Sequence, residues 1–175
     1  PNRAAPAVRK IGRMRVAPAS IRASLMLAEE KKLGVDDKLS KYFPDFPRAD
    51  EVTLRMMLNH TSGIHSYTDP KAEIDPHKDM TTAEMVRNIQ KLSPLYDFAP
   101  GTKYSYSNSG YFLLGAIVEK MSGEPLGGFL KARIFDKQGL GRTAMDDVAE
   151  IVPMRAGGYD LVKDSKGRFR NTTYA

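Results

Sequence analysis

The sequence predicts a mostly α-helical chain closed by a C-terminal β-hairpin. Three observations carry that prediction. Apolar residues recur at helical spacing in successive segments between Ile21 and Ile134. Most of those segments begin or end on capping signals, among them Thr53, Thr81-Thr82-Ala83-Glu84, Gly34 and Gly123. Near the end the character changes: Asp164-Ser165-Lys166-Gly167 reads as a turn between the short runs 159–162 and 168–172.

A chain of 175 residues fits one domain, which at that size buries about 70% of its unfolded surface. With 41% hydrophobic and 27% charged residues it has the balance of a soluble globular protein. No apolar run approaches the ~18 residues of a membrane span. The first residues lack the continuous apolar core of a secretion signal. With no cysteine, disulfides and thiolate metal sites are excluded. The net charge of +6 is localised. Arg3, Arg9, Lys10, Arg13, Arg15 and Arg22 precede the first acid, Glu29, and the remaining 21 basic and 21 acidic residues cancel. Nucleic acid is therefore an unpromising partner for the folded part, which has no surplus of cations. Only the N-terminal arm offers such a surface, and binding through it would collapse with salt.

Residues 1–22 are rich in Pro, Ala and Arg with little periodicity. They read as a basic arm, poorly ordered or foreign to the fold, and residues 23–175 as a partial domain. A genuine basic tail and GC-rich coding DNA read out of frame both fit this composition. Ile21, Leu25, Ala28 and Leu33 mark one side of a first helix, stopped by Lys31-Lys32 and Gly34. Tyr42-Phe43 forms an apolar plug after a polar turn. Thr53 caps a short helix carrying Leu54, Met57 and Leu58, and a capping box opens the next, with Met85, Ile89 and Leu92 on one face. The longest apolar helix covers about residues 110–121. Tyr111, Leu114, Val118 and Met121 form its stripe, widened by Leu113 and Ile117. Pro125 then opens a helix lined by Leu126, Phe129, Leu130 and Ile134.

Two clusters invite metal or acid–base chemistry and carry bland readings. Asp75-Pro76-His77-Lys78-Asp79 lacks the i,i+4 presentation of a helical zinc site and reads as a solvated loop, so no metal is expected. His60 fits a general base by type, and equally a ring that braces a loop by satisfying backbone groups. No cofactor is expected.

The chemically distinctive stretch is Pro100-Gly101-Thr102-Lys103-Tyr104-Ser105-Tyr106-Ser107-Asn108-Ser109-Gly110-Tyr111, a polar loop running into the longest helix. Tyr106 and Asn108 stand two apart at its start, with Asn108 or Ser109 as the expected cap. This stretch resembles the second signature, Tyr-x-Asn, of the serine beta-lactamase and penicillin-binding-protein superfamily. The class C-like branch, with its DD-peptidases, D-aminopeptidases and esterases, is the most similar. Leu58-Asn59-His60-Thr61-Ser62-Gly63-Ile64 is similar to that branch's Leu-Asn-His-Thr-Ser-Gly run. Gly139-Leu140-Gly141-Arg142-Thr143-Ala144-Met145 resembles its Gly-Leu-x-x-Thr-x-Met run. The three blocks stand in family order, and the resemblance covers roughly residues 24–159.

The resemblance implies an α+β, beta-lactamase/transpeptidase-like fold of which this chain covers the helical part. It implies a small-molecule or peptide substrate with an acyl group and suggests a periplasmic or extracellular setting. In such enzymes a serine attacks an amide, ester or lactam carbonyl to form an acyl-enzyme. A lysine three residues on activates that serine, and the family motif's tyrosine and asparagine shuttle protons and bind substrate. On that pattern Tyr106 is the proton shuttle and Asn108 the substrate-binding residue. The nucleophile motif does not carry over. Where the familiar lead-in would be Ile-Gly-Ser-x-x-Lys, this chain has Ile11-Gly12-Arg13-Met14-Arg15-Val16. No lysine in the chain has a serine three residues before it, although Ser20 and Ser24 lie nearby. The family's third motif, Lys/His-x-Gly on a late strand, also has no counterpart. A phenol of ordinary pKa about 10 is ~0.1% ionised at pH 7, and bringing its pKa to 7 needs roughly 4 kcal/mol. One ammonium at ~4 Å supplies about that much, and the motif lysine that would do so is missing. The chain therefore reads as a partial serine hydrolase, inactive alone. A non-catalytic module binding peptide or cell-wall-like ligands is the alternative, and nucleic-acid binding through the arm a weaker one.

Overall fold

A computed structural model describes residues 16–72, 74, 80–145, 158–161 and 169–172 of the chain. Five α-helices lead in order: α1 (Val16–Glu29), α2 (Leu54–Leu58), α3 (Thr82–Gln90), α4 (Asn108–Ser122) and α5 (Leu126–Leu130), the last continuing as one π-helical turn over Lys131–Phe135. Strands β1 (Gly158–Leu161) and β2 (Phe169–Thr172) pair antiparallel, with Gly158 opposite Thr172 and Leu161 opposite Phe169. The hairpin thus forms within a residue of where the sequence places it, and its expected turn lies outside the described residues.

The described body is organised on α4, against which α1, α2, α3 and α5 all pack. Leu113, Leu114, Ile117 and Val118 of α4 are fully buried, as are Phe129 and Leu130 of α5. These residues share one apolar cluster with Leu39, Tyr42, Phe46, Leu54, Met57, Met85 and Ile89. The helix starts follow the sequence signals. Thr53 Oγ1 accepts the Met56 N–H at 3.2 Å, and Thr81 and Glu84 close a reciprocal capping box. Gly123 ends α4 in the left-handed conformation, φ 76°.

Three expectations are corrected. The first helix begins at Val16, and its buried residues are Ala19, Ser20, Ala23, Ser24 and Leu27. Leu25, expected inside, is 43% exposed. Four of these five side chains are small, and Ser20 lies against Gly115 of α4. A Cβ at Gly115 would lie 3.2 Å from Leu126 and 3.4 Å from Ser20 Oγ. Counting large apolar residues selects the wrong side of such a helix. Residues 16–22, assigned by sequence to the arm, are therefore helical, with Ala19 and Ser20 in the core; residues 1–15 lie outside the described residues. The same helix stops at Glu29, with Lys31 rather than Gly34 taking the left-handed turn at φ 58°.

Candidate functional site

The site is built from two sequence blocks that the fold brings face to face. Segment 58–65 and segment 95–107 are joined by backbone hydrogen bonds along their length. The N–H groups of His65, Asp97, Gly101 and Ser105 donate to Leu95, Gly63, Thr61 and His60 carbonyls at 2.9, 2.8, 2.8 and 3.0 Å. The close approach at Gly63 requires glycine. Its φ is +74°, and a Cβ there would stand 2.3 Å from the Phe98 carbonyl oxygen.

On this base the Tyr106/Asn108 pair is held at the mouth of α4. The helix cap is Ser107, correcting the expectation of Asn108 or Ser109. Ser107 has extended backbone, and its hydroxyl accepts the Gly110 N–H at 3.3 Å. The consequence is chemical: Asn108, as first helical residue, does not spend its side chain on the backbone. Its Oδ1 accepts the Tyr106 hydroxyl at 3.2 Å and its Nδ2 donates to Thr68 Oγ1 at 2.8 Å. Thr68 lies 3.0 Å from Ser66 Oγ, which also accepts the Asn108 N–H at 3.2 Å. Ser109 is buried, donating to the His65 carbonyl at 2.6 Å and accepting from the Tyr67 N–H at 2.8 Å. Tyr106 itself is 49% exposed. The arrangement can present a phenol hydroxyl and a carboxamide together to a bound molecule, next to a helix N-terminus.

His60 lies beneath the pair. Its Nδ1 accepts the Ser107 N–H at 3.2 Å, as a loop-bracing ring would. The ring sits between Tyr106 and Tyr111, with centroids 4.5 and 4.6 Å away, and meets the edge of Tyr104 at 5.9 Å. Tyr111 is locked by its hydroxyl donating to the Leu58 carbonyl at 2.7 Å. Burial lowers the His60 pKa below the ordinary histidine range. Burial also raises the Tyr67 and Tyr111 phenols, with Tyr106 adding to both shifts.

The remaining candidates fall outside this group. Lys103 is exposed, and no cation is bonded to the Tyr106 hydroxyl among the described residues. Ser20 and Ser24 are 0% and 1% exposed inside the α1–α4 seam. Val16, at the lysine position of the first motif, is the first residue of α1, while Arg13, Asp75, His77 and Asp79 lie outside the described residues. Among the described residues no three His, Cys, Asp or Glu side chains converge as metal ligands, and no helix is long and apolar enough to cross a membrane. Sequence reasoning missed Ser66, Thr68 and Tyr111 as partners of the site. Nothing in their local pattern marks the first two, since the contacts to Asn108 span about forty residues of chain.

The chain matches the beta-lactamase family over residues 18–174. It is 37% identical over 120 residues to penicillin-binding protein 4* of Bacillus subtilis, an alignment covering 68% of this chain and 26% of that protein. Among solved structures, a penicillin-binding protein from Bacillus halodurans superposes with TM-score 0.75 at 26% identity, covering 91% of this chain and 48% of its own. A D-stereospecific amidohydrolase from Streptomyces gives the same TM-score at 24% identity, covering 93% and 52%, and so shares the fold. The chain spans about half the length of those solved structures and about a quarter of that curated relative. Its helical body, with the Tyr-x-Asn loop seated on the Leu-Asn-His-Thr-Ser-Gly run, belongs to the beta-lactamase family.

Proposed function

We propose that the chain is a segment of an acyl-transferring serine hydrolase of the beta-lactamase and penicillin-binding-protein type, and that alone it completes no acyl transfer. One observation carries the reading. The Tyr106 hydroxyl is fixed on Asn108, while the chain contains no Ser-x-x-Lys pair to be activated. In the intact protein Tyr106 is the proton shuttle and Asn108 binds the substrate's polar group, with nucleophile and oxyanion stabilisation supplied from outside this segment. Relatives named as penicillin-binding proteins support an amide, ester or lactam of a small molecule or peptide as substrate. Burial of Ser20 and Ser24 in a helix seam supports the absence of a substitute nucleophile.

The test is turnover of a chromogenic cephalosporin and of an activated acyl ester by the purified chain. The expected result is a rate equal to that of buffer with an inert protein. Turnover abolished by a single serine substitution would overturn the proposal. A second reading, a module that binds peptide or cell-wall-like ligands without hydrolysis, is favoured by the exposed, pre-fixed Tyr106–Asn108 pair. It predicts ligand-dependent thermal stabilisation that Asn108→Ala removes.

A further inference from the structure

The ring of His60 does more in this fold than fill space between two blocks. The Ser107 N–H that it accepts lies on the backbone between Tyr106 and Asn108, so this hydrogen bond tethers the segment from which both side chains project. Ser107 is only 4% exposed, so water is poorly placed to replace a lost partner. The bond requires Nδ1 to be unprotonated, with the ring proton on Nε2. The backbone at His60 is itself committed to the site, at φ 61° in the left-handed region.

We propose that His60 is the positioning residue for the Tyr106–Asn108 pair, and that it holds the pair only as a neutral imidazole. Protonation at Nδ1 turns the acceptor into a donor. Two N–H groups then face each other at a buried position, and the Tyr106–Ser107 peptide must move. The titratable groups facing the ring are the phenols of Tyr104, Tyr106 and Tyr111, neutral throughout this range. Their π-faces would favour a cation. Burial of the ring acts in the opposite direction and lowers its pKa. The sign follows: the positioning is complete above the ordinary histidine pKa of about 6.5 and is lost as pH falls through the lower folded value.

The experiment is amide hydrogen exchange and Tyr106 ring chemical shifts on the isotope-labelled full chain, from about pH 8 to about pH 5. After correction for intrinsic exchange, Ser107 should lose protection about tenfold across the His60 titration, with the Tyr106 ring signals moving in the same step. His60→Asn keeps an acceptor, tolerates the left-handed backbone and cannot be protonated, so its Ser107 protection should be high and independent of pH. His60→Phe keeps a ring without an acceptor and should be unprotected at both ends. An unmodified chain whose Ser107 and Tyr106 signals ignore the His60 titration overturns the proposal, whatever the variants do. Full protection in a folded His60→Phe overturns it as well. The readout involves no acylation, so it stands or falls separately from the reaction assigned above.

Discussion

The loop that seats Tyr106 and the seam between α1 and α4 lie on the same central helix and are built by opposite rules. In the loop, polar groups at successive positions find partners: Ser107 caps, Ser109 bridges to His65 and Tyr67, Asn108 spans Tyr106 and Thr68, and Tyr111 reaches Leu58. In the seam, Ser20 lies against Gly115, and Ser24 Oγ is buried with no hydrogen-bond partner. A buried hydroxyl without a partner costs roughly 1–3 kcal/mol. The Tyr106–Asn108 loop is therefore tied by a chain of hydrogen bonds, while the seam buries one hydroxyl, that of Ser24, without a partner.

Substitutions can sharpen that contrast. The largest effect belongs to Gly63→Ala, which puts a Cβ 2.3 Å from a backbone carbonyl at positive φ. A loss of roughly 4 kcal/mol or more is expected, seen as loss of cooperative unfolding in denaturant. Next is Ile117→Ala, in the α4 core common to both regions, where the side chain is fully buried. It should cost about 2–5 kcal/mol, measured by the shift in unfolding midpoint. Tyr111→Phe removes the hydrogen bond to Leu58 and leaves that carbonyl unpaired. About 1 kcal/mol is expected, with the Tyr106 ring environment perturbed in the same variant. Smallest, and opposite in sign, is Ser24→Ala. Removing an unpartnered buried hydroxyl and improving helix propensity should stabilise by up to ~1 kcal/mol. A destabilised Ser24→Ala protein would show that the hydroxyl has a partner and that the two regions do not differ as described.

Much of this was legible in residue types. Thr53, the Thr81–Glu84 box and Gly123 announce their helix ends because capping is local chemistry, readable within four residues. The α4 stripe was legible because its buried residues are large and apolar. The α1 face was not, because Ala19, Ser20, Ala23 and Ser24 are small residues buried by packing against another helix, with Ser20 against Gly115. At the site, spacing and resemblance singled out Tyr106 and Asn108. The cap shifted by one residue because Ser, Asn and Ser in succession are nearly equivalent N-caps. Asn108 is drawn away from capping by Thr68, which accepts from its side chain, while Ser66 accepts its backbone N–H. Long-range polar partnership of that kind leaves no periodic trace in a sequence.

The central claim is that the chain carries an ordered tyrosine–asparagine half-site with no nucleophile to serve. Covalent labelling reads it most directly: the intact mass of the purified chain after incubation with a penicillin and with a fluorophosphonate. The account predicts an unchanged mass with both reagents. A stoichiometric serine-linked adduct, mapped by peptide fragmentation to Ser20, Ser24 or any other serine, would contradict it.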